Sequence, residues 1–109
     1  MAFTLPQLPY SYDALEPHFD ARTMEIHHSK HHAGYTSKFN AALEAASIDS
    51  SDLTALMASM DMNNAALRNN GGGYYNHCLF WENLSPHATE MSADLTSCIE
   101  RCFGSVDNM

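Results

Sequence analysis

The chain has 109 residues, 45% of them hydrophobic, with 13 acidic against 5 basic residues and a net charge of −8. That length is one domain or part of one, and the hydrophobic fraction is ordinary for a globular fold, which excludes a disordered chain. The acidic balance argues against a general nucleic-acid binder or an anionic-membrane binder, both of which need a basic face, yet leaves room for a small anionic substrate drawn by local charge.

Residues 1–19 are rich in proline and aromatic residues and read as an extended arm that packs by its rings. They lack the basic and apolar regions of a secretory signal, and no apolar run in the chain approaches a membrane span. The expected location is the cytoplasm, although a processed organellar protein would read the same. Asp20 predicts a cap for a helix from near Ala21 to about Ala46, because Met24, His27, His31, Tyr35, Phe39 and Leu43 recur at spacings of three and four. Ile48 to Ser51 reads as a loop. Asp52 predicts the cap of a shorter helix with Leu53, Leu56, Met57 and Met60 on its face.

Between Asn63 and Asn83 the flanks favour helix, but Gly71, Gly72 and Gly73 interrupt them. Each glycine costs a helix interior about 1 kcal/mol, so the expectation is a break there or a tight approach to another backbone. Ser85-Pro86 ends that segment. A last helix is predicted from about Ser92 to Phe103, with Gly104 just past its end. Cys78, Cys98 and Cys102 are odd in number and form no C-x-x-C pair, so they read as reduced thiols; Cys98 and Cys102, four apart on one helix face, would be two of a missing four as metal ligands and read as small buried hydrophobes. With no convincing strand, the fold class is all-α: an antiparallel long helical hairpin with an N-terminal arm and shorter helices.

The histidines carry the chemistry. His27, His28, His31 and His32 fall within six residues, and His77 stands near the only tryptophan, Trp81. At about 100° per residue, His27, His31 and Tyr35 share one stripe of the helix, while His28 and His32 form a second row. The first stripe also carries apolar residues and so faces inward; a histidine-rich surface helix is the plainer reading. His77, amid Leu79, Phe80 and Trp81, reads either as a core residue bonded to backbone or as a metal ligand in a dry shell.

Three segments carry a family resemblance: LPYSYDALEPHFDARTMEIHHSKHHAGY, NNGGGYYNHCLFW and IERCFGSVDN. In that order they resemble the N-terminal part of the iron/manganese superoxide dismutases. The resemblance implies that His27 and His77 are metal ligands and that His31 and Tyr35 are the catalytic pair at the substrate funnel, where they organise hydrogen bonds to solvent at the metal. It places Trp81 in the apolar shell and Lys30 beside the mouth, and it gives His28 and His32 no ligand role. Gly73 stands where iron-type members usually carry glutamine, so NNGGG is similar to the manganese type; the cofactor expected is manganese, with iron possible. Tyr74 departs from the histidine common in that type and reads as a packing variant.

The family's chain is roughly twice as long, and its second domain brings an aspartate and a third histidine in a D-x-W-E-H motif that these 109 residues do not contain. The chain therefore reads as a fragment: residues 1–89 as the N-terminal helical-hairpin domain and 90–109 as the start of a C-terminal α/β domain. The implied reaction of the parent is disproportionation of superoxide to dioxygen and hydrogen peroxide by a redox-cycling metal, in a homodimer or homotetramer. The fragment by itself is expected to bind metal weakly and to turn over little. The alternative is a non-catalytic helical module that binds a metal or a partner through the same face.

Overall fold

A computed structural model describes residues 2–109, and among these every regular element is helical. Asp20 sits in extended backbone, and its carboxylate accepts from Thr23 N at 3.1 Å, which satisfies one of the free N–H groups that open a helix. From there one continuous rod runs through α1 (Ala21–Ile26), a π-helical turn (His27–His32) and α2 (Ala33–Ala45). The π turn is marked by Ala33 N–H donating five residues back to His28 O.

The π turn decides which histidines are buried. The buried positions are Met24, His28, His32 and Thr36, each four apart, followed by Phe39 and Leu43. On a regular α-helix a spacing of four overshoots a full turn by about 40°, so three in succession would leave the core face. The wider π turn absorbs that drift and keeps all four on one side. The expected inward stripe is thus corrected: it is the second row, His28 and His32, that enters the core, while His27 is half-buried and His31 exposed.

α2 ends in a Schellman motif. Ser47 N donates to Glu44 O at 3.0 Å and Ile48 N to Leu43 O at 2.9 Å, and Ser47 takes the left-handed position with φ 56°. A side chain there costs roughly 1 kcal/mol that glycine avoids. Ser47→Gly is therefore expected to stabilise the chain by up to about 1 kcal/mol, read as a rise in the urea midpoint.

After α3 (Leu53–Ala58), whose first turn is capped by Asp52 on Ala55 N, the chain enters α4 (Ala65–Asn83), capped by Asn64 on Leu67 N. The expected break at the glycines does not occur; α4 runs through them without interruption. The physical reason is space. A Cβ on Gly71 would lie 2.7 Å from Met60 Cε and 2.9 Å from Phe39 Cε1, and one on Gly73 would enter the Tyr35 ring. The cost in helix propensity is offset by letting α4 lie close against α2, and the close approach is to the side chains of Phe39, Met60 and Tyr35, not to another backbone.

α2 and α4 pair antiparallel: Tyr35 meets His77, and Phe39 meets Tyr74. The core has two clusters. One gathers Phe39, Ala42, Leu43, Leu67 and Tyr74; the other gathers Leu15, Met24 and Trp81. The histidines lie between them along both helices. The N-terminal arm packs by its rings as expected: Phe3 stacks on Phe39 at 5.3 Å, and Tyr10 Oη donates to Trp81 O at 2.9 Å. α5 (Ala93–Phe103) is capped by Ser92 and ends at Gly104, φ 88°. No other helix packs on α5. For that reason Cys98 and Cys102, expected in a core, are exposed, as are Leu95 and Phe103 on the same helix.

Candidate metal centre

The antiparallel pairing brings the four sequence-predicted site residues into one open cleft of about 370 Å³, lined by Thr23, Ile26, His27, His31, Tyr35 and His77. His27 comes from the π turn and His77 from the middle of α4. Their rings meet edge to face, with centroids 4.9 Å apart and planes at 89°. Tyr35 covers the other side of His77 at 5.2 Å, and His31 stands at the rim, 6.1 Å from His27.

The hydrogen bonds settle which nitrogen of His77 is free. His77 Nδ1 lies 2.7 Å from Gly73 O, and a carbonyl oxygen only accepts, so Nδ1 carries the proton. Nε2 is left with its lone pair, the form that binds a metal. The His27 ring has no hydrogen-bond partner among the described residues. Its ring is held by aromatic neighbours instead, Trp81 at 4.8 Å and Phe80 at 5.4 Å. Burial, with the neighbouring His77 and His31 adding to it, lowers the His27 pKa and so keeps the imidazole neutral.

The second row of histidines is structural. His28 donates from Nε2 to Pro6 O at 2.7 Å and accepts at Nδ1 from Tyr12 Oη at 2.9 Å, tying the arm to the rod. His32 is fully enclosed and accepts at Nδ1 from Trp81 Nε1 at 2.9 Å. Burial and the adjacent histidines push its pKa from 6.5 down to about 4. The folded state thus disfavours the protonated ring. This contribution to stability is full above pH 6.5 and is lost as pH falls towards about 4. Acidification across that window is expected to destabilise the chain by at most about 1.4 kcal/mol per pH unit for this proton. Urea titrations at stepped pH check it, and His32→Gln should flatten the slope.

Other sequence readings find their place. Tyr74 is a packing residue: its hydroxyl donates to Thr4 O at 2.8 Å, and burial pushes its pKa up to about 12. Trp81, 2% exposed, packs in the core and borders His27. Lys30 does not line the cleft; with Lys38 it lines a neighbouring depression of about 210 Å³ that shares His31 and Tyr35. A larger hollow of about 450 Å³, at the far end of α2, includes none of these histidines. Sequence reasoning left packing and exposure both open for His28 and His32; the structure buries both.

Among the described residues no group of three or more His, Cys, Asp or Glu side chains is placed to hold a metal ion. Residues 2–85 match the family model described as iron/manganese superoxide dismutases, alpha-hairpin domain.

Proposed function

We propose, because the chain belongs to the iron/manganese superoxide dismutase family, that it contributes half of a metal centre for superoxide disproportionation, with His27 and His77 as donors. The observation that carries this reading is the meeting of those two imidazoles in one cleft at 4.9 Å, with the lone pair of His77 Nε2 left free. Neutral imidazoles suit either manganese or iron, so the residues present fit the group. We assign manganese as the working metal on Gly73, which lacks the side-chain amide placed there in iron-type members. The aspartate and third histidine implied by the family resemblance would come from outside these 109 residues.

When bound, the ion supplies one-electron chemistry, oxidising one superoxide and reducing the next. The chain's own residues prepare that chemistry. Gly73 O holds the His77 tautomer, and burial keeps His27 uncharged. Phe80 and Trp81 keep water from the inner face of His27. Tyr35 and His31 occupy the mouth, where a phenol and a solvent-exposed imidazole can pass protons from water to the reduced product. Lys30 and Lys38 offset the chain's negative charge beside that mouth and draw the anionic substrate in.

The isolation of α5 from the other helices and the end of the family match at residue 85 support a boundary near 89–90, with the second domain beginning at α5. The parent protein is assigned as a homodimer or homotetramer on the family resemblance. No helix among the described residues is long and apolar enough to cross a membrane. Metal content and superoxide consumption of the 109-residue chain test the half-site reading. Weak manganese uptake and little turnover are expected. Tight stoichiometric manganese with full activity would overturn it.

A further inference from the structure

A histidine that binds a metal ordinarily has its other ring nitrogen tied to a carbonyl or carboxylate, which fixes the ring's orientation. His77 has such a tie, at Gly73 O. His27 has none among the described residues. What stands against its ring is the Trp81 indole, centroids 4.8 Å apart and planes at 68°. With Phe80 at 5.4 Å and His77 at 4.9 Å, Trp81 is one of the rings that set the orientation of His27, and it is the nearest of them.

Besides its packing against Leu15, Met24 and Phe80, Trp81 makes two hydrogen bonds to other elements. Its carbonyl accepts from Tyr10 Oη at 2.9 Å, and its indole N–H donates to His32 Nδ1 at 2.9 Å. The first bond is made by backbone; of the two, only the second is made by the ring and bears on how it is turned. The indole nitrogen is a donor with no acceptor capacity, so a buried indole needs such a partner. His32 supplies it: the indole N–H can only donate, so His32 Nδ1, 2.9 Å away, is the acceptor. His32 also lies against His77, ring centroids 5.3 Å apart and planes at 31°.

We propose that His32 is a positioning residue for the metal centre: it turns the Trp81 indole through the Nε1–H to Nδ1 hydrogen bond, and the indole in turn holds His27 towards the ion. The proposal deepens the reading of the cleft as a metal site and rests on it. It assigns His32 no contact with the ion. The bond replaces, at one remove, the tie that His27 lacks.

The test uses the chain labelled with ¹⁵N, since Trp81 is the only tryptophan and gives a single indole N–H signal. A downfield, slowly exchanging proton with coupling to His32 Nδ1 is expected. His32→Leu removes the acceptor, whereas His32→Gln keeps an oxygen that can accept. His32→Leu should shift the His27 ring resonances and weaken cobalt(II) binding by about tenfold or more. His32→Gln should restore most of that loss. In a Trp81→Phe background, His32→Leu should add little, because the route through the indole is already broken. Should His32→Leu fail to fold, Trp81→Phe, which keeps a ring but no donor, must reproduce the His27 shift. A freely exchanging indole proton would overturn the proposal, as would a folded His32→Leu chain with unchanged His27 resonances. If the unmodified chain takes up no cobalt while the coupling and the His27 shift are present, the metal reading fails and the positioning geometry stands.

Discussion

Replacing His27 or His77 by alanine is expected to weaken metal binding more than about 100-fold, beyond what loss of an outer partner of a ligand costs, because each removes one of the two donors proposed for the ion. Helical structure should survive. Alanine is the best helix former, and neither ring anchors another element by a hydrogen bond: His77 bonds within its own helix turn and His27 bonds to nothing described. Titration with cobalt(II) by absorption, alongside far-ultraviolet circular dichroism, separates affinity from folding. The sharpest control is His28→Ala, one residue away in the π turn. It removes the bonds to Pro6 O and Tyr12 Oη, so it should loosen the N-terminal arm and lower stability while leaving affinity nearly unchanged. Equal metal uptake by all three variants would mean that the cleft is not a metal centre.

Phe39→Ala is expected to cost about 3–5 kcal/mol, enough to unfold much of the population at 37 °C if total stability lies near the lower end of the usual range of about 5–15 kcal/mol. Phe39 is 0% exposed and sits where three parts of the fold meet. It stacks on Phe3 of the arm at 5.3 Å and lies against Tyr74 of α4 at 5.8 Å. It also faces the space left by the missing side chain of Gly71. Truncation opens a cavity, and these neighbours are fixed by their own bonds, so collapse into it is limited. Urea unfolding measures the loss. Gly71→Ala approaches the same place from the other side: alanine improves helix propensity, yet its methyl crowds Phe39 and Met60, and a net destabilisation of about 1–3 kcal/mol is expected. A cost below about 1 kcal/mol for Phe39→Ala would show that the junction is not tightly packed.

The local rules of the chain were legible because they act between near neighbours. Asp20 and Asp52, read as caps, each accept from the backbone N–H three residues on, and Ser92, expected near the start of the last helix, does the same. Gly104 follows the last helix with positive φ. The arm's aromatic rings, read as packing elements, tie to both long helices. Where the sequence reading failed, a distant partner had overruled a local preference. Three glycines argue for a break only when nothing is gained by closeness; Phe39, Met60 and Tyr35 make closeness worthwhile. Cys98 and Cys102 read as core residues because cysteine is usually buried, but α5 has no helix packed against it.

The sequence by itself carried an all-helical fold, the Asp20 and Asp52 caps and the packing arm, since short polar caps and helical periodicity are written locally; the grouping of His27, His31 and Tyr35 with His77 came from the family resemblance, not from spacing. Only the tertiary structure decided which row of histidines enters the core. A π turn at His27–His32 keeps Met24, His28, His32 and Thr36 on one face, and a uniform period of 3.6 residues cannot represent that shift. The same holds for the free nitrogen of His77 and for the Trp81 to His32 bond. Each depends on which acceptor lies within hydrogen-bond reach, and the packing of helices set many residues apart decides that.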